Sequence, residues 1–376
     1  MNRLFLAGLA AVAASAAALA EPAEVNMPVL VPLTGPVALE GTSQQNGALL
    51  ALRNAPAGVK AHYLVMDVDG SPEQAVNGLE RVLSRGPVSA VTASIFGPQM
   101  LAMLPIALER KVPLITISGT TDITERGNPY VFRFFPTDAV AKVAHARYAV
   151  EILGKGRPAL IYQTTAYGQS GATQLRANLQ RLGVELVFEE ALDPTVKDML
   201  PVLAKARDAK PDVLLLHLHQ APTALVIRQA AAMRLGLPIV AGSAAHSPAT
   251  AALLDPAELA GVCTETNAAP AAGGSPALER FLAQYREAFG SEPDGYALGQ
   301  YDGVMMVLDA AQHGAGNAAE IAAALSRSTY QGLAQTYRSD GKGNMAHGAI
   351  IMCYDGTGRV PRIVKSYENV TGVLAR

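Results

Sequence analysis

Short apolar runs alternate with helix-spaced stretches along this chain, and the alternation is played through twice; no other feature constrains the fold as strongly. The run 26–33 is broken by Thr34-Gly35-Pro36 and followed by helical spacing over 42–54. The run 62–68 leads into Asp69-Gly70-Ser71-Pro72, where Ser71 reads as an N-cap and Pro72 as the first residue of a helix reaching Leu83. A strand at 88–96, a helix at 98–110 and a strand at 113–117 follow. The grammar restarts after Arg133-Phe134-Phe135-Pro136 with a helix at 138–153, then strand 159–163, helix 169–182, strand 185–189 and helix 196–209. Strand 212–217, helix 221–235 and strands 239–240 and 262–266 complete this second set. Two successive sets of βα units predict an α/β protein of two doubly wound, Rossmann-like lobes. The Ala-, Gly- and Pro-rich stretch 268–276 reads as a crossover between them. Helices at 277–289, 295–312 and 318–326 and a β-rich tail at 349–354 close the chain.

The first twenty residues have the three-part layout of a cleaved secretory signal. Asn2-Arg3 is charged, 4–19 is apolar, and Ala18-Leu19-Ala20 supplies small residues where a signal peptidase reads. The segment is shorter and richer in Ala than a membrane anchor. The rest, about 350 residues, suits two domains exported to the periplasm. A net charge of −2 with no basic run argues against nucleic acid and against an anionic membrane surface. With half of the chain hydrophobic and 16% charged, large buried sheets are expected. Cys263 and Cys353 are open to two readings. An oxidising compartment allows them to pair, while their β-rich apolar segments also suit cysteine as a small hydrophobe.

In open α/β sheets, ligands bind beyond the carboxyl ends of strands. The loops there, at 34–41, 94–99, 118–122, 164–168, 217–221 and 242–247, are rich in Gly, Ser, Thr and Tyr and poor in charge. They offer N–H and hydroxyl groups, backed by helix N-termini, to a carboxylate. Enzyme motifs fail in turn. Gly168-Gln169-Ser170-Gly171 has the wrong spacing for a nucleophile elbow, and Gly154-Lys155-Gly156 lacks the rest of a phosphate loop. Asp67-Val68-Asp69 is read as turn and cap. His217-Leu218-His219 places two imidazoles on one strand face, a spacing that suits zinc. A third ligand would have to be His246 or a distant carboxylate, so one packed and one pocket-lining histidine is the preferred reading. No catalytic residue, metal or cofactor is expected.

Val31-Pro32-Leu33-Thr34-Gly35-Pro36-Val37-Ala38 with Gly41 and Asn46-Gly47-Ala48 resembles the opening of the leucine/isoleucine/valine-type periplasmic binding proteins. Pro113-Leu114-Ile115, Ile117-Ser118-Gly119-Thr120-Thr121, Ala166-Tyr167-Gly168, Ile227-Arg228-Gln229-Ala230, Tyr301-Asp302 and Tyr330-Gln331-Gly332-Leu333 continue the resemblance in order, closing on Asp340 and Gly341. It implies the type I periplasmic binding protein fold, two lobes joined by three hinge crossovers, here 21–135 plus 268–340 and 136–267 plus 341–376. It also implies a monomeric substrate-binding component of an ABC importer, with a small-molecule ligand and membrane permease subunits as partners. Carried over by position, the ligand would meet Gly97, Pro98 and Gln99, then Ser118, Gly119, Thr120 and Thr121. Tyr167, His219 and Ser243 fall at second-lobe contacts, and Tyr296 at an apolar first-lobe contact.

Two departures bear on the ligand. Ser243 stands where amino-acid-binding members carry an acid for the ligand ammonium, and Glu40 where a first-loop tyrosine is common. An unpaired buried ammonium is costly. Either another acid, Glu40 or Asp302, replaces the missing one, or the ligand is an aromatic or aliphatic acid or an amide. A branched-chain or other hydrophobic amino acid is the first expectation. A ligand-sensing regulator of the same fold is the alternative of another class, and the secretory signal argues against it.

Overall fold

The computed structural model describes residues 21–270 and 273–370; the signal-like residues 1–20 lie outside them. The first lobe is built from β1 (Ala23–Asn26), β2 (Val29–Val31), α1 (Ala38–Arg53), β3 (Val59–His62), β4 (Val65–Asp67), α2 (Pro72–Leu83), β5 (Val91–Ala93), α3 (Gly97–Arg110), β6 (Leu114–Thr116), α4 (Asp122–Glu125) and β7 (Val131–Arg133). The chain then builds a second sheet with α5 (Asp138–Arg147), β8 (Pro158–Gln163), α6 (Ala166–Arg181), β9 (Phe188–Leu192), α7 (Leu200–Asp208), β10 (Val213–His217), α8 (Gln220–Ala232), β11 (Ile239–Ala241), α9 (Pro248–Ala251) and β12 (Val262–Thr266). It returns to the first lobe with α10 (Pro276–Phe289), α11 (Gly295–Gln312), α12 (Ala318–Arg327), β13 (Thr329–Gln331) and β14 (Thr336–Arg338). It ends in the second sheet with β15 (Ala349–Cys353) and β16 (Arg362–Tyr367).

The first sheet runs β4-β2-β5-β6-β7, all parallel. The second begins β9-β8-β10-β11-β12, also parallel, and adds β15 and β16 antiparallel. Numbered within each lobe, both parallel sets have the order 2-1-3-4-5. Period-two alternation places successive side chains on opposite faces. Val29 and Val31 therefore enter a core shared with Val304 and Leu308 of α11, while Leu30 between them packs with Met100 and Leu104 of α3. In β10, Leu214 and Leu216 face Val226 and Ile227 of α8, and Val213 and Leu215 face Leu175 of α6. Sheets buried on both faces explain the unbroken apolar runs.

Helix α2 starts as the sequence indicates, with the Ser71 hydroxyl accepting Gln74 N–H at 3.3 Å. Its buried residues Ala75, Gly78, Leu79 and Val82 repeat at helical spacing. Several boundaries differ from expectation. The run 26–33 divides into β1 and β2 at Met27-Pro28, and 62–68 divides into β3 and β4; β1 and β3 pair as a separate parallel ribbon. Strand β9 lies three residues later than 185–189. It is an edge strand whose Glu189 and Glu190 bond Arg176 and Lys205, so apolar periodicity marks it poorly. The hairpin β13–β14 and strand β16 were not anticipated. β16 is an edge strand with Arg362, Lys365 and Ser366 exposed, which hides it from a search for apolar runs. Cys263 and Cys353 stand opposite each other on β12 and β15 and form a disulfide, which settles the two open readings in favour of pairing.

Candidate functional site

Where the order 2-1-3-4-5 reverses, helices leave on opposite faces and a crevice opens beyond the strand ends. In the first sheet this point lies between β2 and β5, in the second between β8 and β10. The crevices face each other. Gln220 N–H donates to Glu40 Oε1 at 2.8 Å, Tyr296 OH donates to Ser243 Oγ at 2.8 Å, and Thr121 N–H donates to Ser170 Oγ at 2.9 Å, each across the cleft. Between them lies a closed cavity of about 20 Å³. That is room for about one water molecule, so admitting an organic ligand requires the lobes to part. Glu40, Ile95, Ile117, Gly119 and Tyr296 line it from one side, Tyr167, His219 and Ser243 from the other, with Phe135 at the first crossover between the sheets.

Glu40 sits in the first turn of α1 and is 2% exposed. Besides accepting the N–H of Gln220, the first residue of α8, its Oε1 lies 3.4 Å from His219 Nδ1. Tyr167 is the second residue of α6, whose N-cap Thr165 accepts Gly168 N–H at 3.1 Å. Its ring packs on His217, centroids 3.9 Å apart, and on His219 at 4.8 Å. Its hydroxyl reaches Ser243 Oγ only at 3.5 Å. Burial pushes the Tyr167 and Tyr296 phenols well above their ordinary range, so both act as neutral hydroxyls. Tyr296 also packs against Phe135 and His246.

His217 lies beneath this layer. Burial holds it neutral, its pKa well below the ordinary value, and its Nε2–H donates to Tyr167 O at 3.0 Å. Helix α6 passes so close that a β-carbon on Gly171 would come within 2.1 Å of the His217 ring. The two histidines therefore have separate packing and cavity-lining positions. Deeper still, Glu265 bonds Lys142 and accepts from His145 Nδ1 at 2.9 Å, all three fully buried. Burial raises Glu265, but Lys142 and His145 outweigh it and leave the carboxylate below its usual range.

Six of the residues expected at the site meet at the cavity: Glu40, Gly119, Tyr167, His219, Ser243 and Tyr296. Ser118, Thr120 and Thr121 stand in the same loop but off the cavity wall, and the hydroxyls of Ser118 and Thr120 are buried without a hydrogen-bond partner. Gly97 lies behind Thr120, where a β-carbon would come within 2.2 Å of Thr120 Oγ1. Gln99 and Pro98 are not brought to the cavity. The Gln99 amide is spent holding the chain after β4: Oε1 accepts Ser94 Oγ–H at 2.6 Å, and Nε2 donates to Val68 O at 2.7 Å and Asp69 O at 3.0 Å. Pro98 is a half-buried residue of the first turn of α3. Asp302, weighed as a replacement acid, accepts the N–H groups of Leu333 and Ala334 at 2.8 Å each and anchors the β13–β14 turn. Sequence reasoning missed Ile95, Ile117 and Phe135, which look like ordinary strand residues, and Phe135 was used only to mark a lobe boundary.

The family model described as "Periplasmic binding protein" matches residues 24–359. Leu/Ile/Val-binding protein homolog 7 of Brucella abortus is 28% identical over 329 residues, 81% of each chain. Homolog 8 of Brucella melitensis is 26% identical over 341 residues, covering 84% of this chain and 83% of its own. Among solved structures, a leucine binding protein of Thermotoga maritima superposes with a TM-score of 0.83 at 23% identity, covering 92% of this chain and 99% of its own. A solute binding protein of R. palustris in complex with benzoate gives 0.84 at 16% identity, covering 93% and 98%. These structural likenesses support the two-lobed type I fold, and with the family match over nearly all described residues, this chain belongs to the periplasmic binding protein family.

Proposed function

We propose that this protein is the periplasmic substrate-binding component of an ABC importer for a small ligand with one carboxylate and an apolar body, a branched-chain or other hydrophobic amino acid. The observation that carries this reading is the enclosed cavity at the meeting of two switch points, with Ile95, Ile117 and Phe135 for an apolar body and hydroxyls, N–H groups and one carboxylate around it. The unpartnered hydroxyls of Ser118 and Thr120 beside it suit a carboxylate. The lobes open to admit the ligand, and its contacts with both sides favour the closed state. We take the lobes as 21–135 plus 268–345 and 136–267 plus 346–376. The hydrogen bonds of Gly343 O and Met345 N with Arg133 support this last boundary over the break after residue 340 that the resemblance implies. Permease subunits would then receive the closed, loaded form.

A second reading, an aromatic acid without an ammonium, draws on Ser243 in place of the expected acid and on the aromatic walls Phe135, Tyr167 and Tyr296. It also draws on the benzoate complex among the fold's neighbours. Thermal melting of protein unfolded and refolded to remove carried-over ligand separates the two. The panel holds branched-chain and aromatic amino acids, their deaminated acids, and benzoates. A ligand at about 1,000 times its dissociation constant adds about 4 kcal/mol, a clear shift in melting temperature. Shifts with amino acids support the first reading, shifts with the acids alone support the second, and no shift with any compound removes both.

A further inference from the structure

Ser243 carries no charge, and Glu40 on the cavity wall has its Oε1 engaged by Gln220 N–H across the cleft and facing His219, so a second acid near the cavity bears on how an amino-acid ligand is held. We propose that Asp138 receives the ligand's α-ammonium, and so makes the protein select amino acids over their deaminated acids. This rests on the reading that the cleft captures a carboxylate ligand.

Asp138 is the first residue of α5, placed by the chain's first passage between the sheets, and it is 2% exposed. Its N–H donates to Gly119 O at 2.7 Å, and Arg133 Nη1 donates to the same oxygen at 2.9 Å, so the carboxyl is fixed behind that loop. Gly119 is the one glycine of the cavity wall. A β-carbon there would lie 2.9 Å from Asp138 Oδ1 and 3.4 Å from Tyr167 Cε2, so the carboxyl stands directly behind this glycine, one layer from the cavity, with no side chain between them.

The carboxyl is under-served by its own surroundings. Oδ2 is buried with no hydrogen-bond partner. Oδ1 lies 3.7 Å from His217 Nε2, whose proton is donated to Tyr167 O. The Ser170 hydroxyl interacts with the carboxyl but is shared with Thr121 N and Oγ1, and Lys142 is bonded to Glu265. Burial, opposed by Lys142, Ser170 and Arg133, leaves Asp138 raised to about 7. An ammonium at Oδ2 would supply the missing charge-assisted hydrogen bonds and expel the proton.

The test measures binding of leucine, valine and phenylalanine and of their three deaminated acids by calorimetry, on the wild type and on Asp138→Asn. The wild type should bind at least one amino acid, and the substitution should weaken that binding about 100-fold while leaving its deaminated acid equal or tighter. A variant that keeps the amino acid within about threefold, or loses both partners equally, overturns the proposal. Should the variant fail to fold, the wild type decides alone. Amino-acid binding, followed from pH 5 to 8 in buffers of different ionisation enthalpy, should release protons over part of that range, and release at no pH overturns the assignment. A wild type that binds only the deaminated acids also overturns it while leaving the carboxylate reading intact. Binding of none of the six overturns that reading itself.

Discussion

Glu40 of α1 accepts the main-chain N–H of Gln220 of α8 at 2.8 Å, a hydrogen bond that joins the two lobes across the cleft. The acceptor is a carboxylate and the donor sits in the first turn of a helix, so hydrogen bond and helix dipole act together. Opening the lobes breaks this contact and exposes both groups to water. Glu40→Ala should therefore favour the open form and weaken ligand binding about tenfold, with Glu40→Gln intermediate because it keeps one acceptor oxygen. Small-angle scattering with and without ligand, beside calorimetric affinities, checks both.

Tyr167 is expected to act through its ring more than through its hydroxyl. The ring packs on His217 and His219, whereas the hydroxyl reaches Ser243 only at 3.5 Å. Tyr167→Phe should bind ligand within about threefold of wild type, and Tyr167→Ala about 100-fold more weakly, as buried aromatic anchors do. Titration calorimetry on the two variants makes the comparison.

The pH dependence of stability follows from groups buried in one charge state. Burial depresses His217, His145 and His246 in the folded protein. Below pH about 6.5 the unfolded chain takes up protons that these residues refuse, so their contribution falls as the solution is acidified. Asp138 and Asp302, both raised to about 7 by burial, act in the opposite sense and add stability between pH 7 and the ordinary carboxylate range. His217→Gln, which keeps a donor for Tyr167 O, isolates one member. Its stability relative to wild type should rise as pH falls from 7 to 5, by up to about 1.4 kcal/mol per pH unit, and its melting temperature relative to wild type should rise with it. Parallel melting curves at all pH values would contradict this.

The Cys263–Cys353 disulfide closes a separation of 90 residues between β12 and β15. A loop of that length corresponds to about 4–5 kcal/mol in the chain-entropy account. The double substitution to alanine should lower the melting temperature by several degrees in scanning calorimetry. Neither cysteine lines the cavity, so ligand affinity at 25 °C should stay within about threefold.

Much of the architecture was legible because both sheets are buried on two faces, which writes strands such as β8 and β10 as continuous apolar runs. What escaped was written in charge instead. Glu189 and Glu190 on edge strand β9, and Arg362 and Lys365 on β16, interrupt the pattern where one edge meets solvent. At the site, Tyr167, His219 and Ser243 were reached through the family resemblance, position by position, and all three lie on the cavity wall. Gln99 was reached by the same carry-over and misled: a polar side chain in a strand-end loop serves the backbone as readily as a ligand, and only its three-dimensional neighbours tell which. Asp138 looked like an ordinary first-turn acid, which locally it is. Its closeness to Gly119 and Tyr167 depends on contacts between segments far apart in the chain.

The chain passes from one sheet to the other three times: between β7 and α5, between β12 and α10, and between β14 and β15. Three straps side by side resist sliding and separation far better than they resist bending, so the lobes are left with essentially one easy motion, like the covers of a bound book. A small change of angle at the spine becomes a larger displacement at the outer rims. A docking partner that grips both rims can then sense an occupied cleft as a change in spacing, without touching the ligand at all.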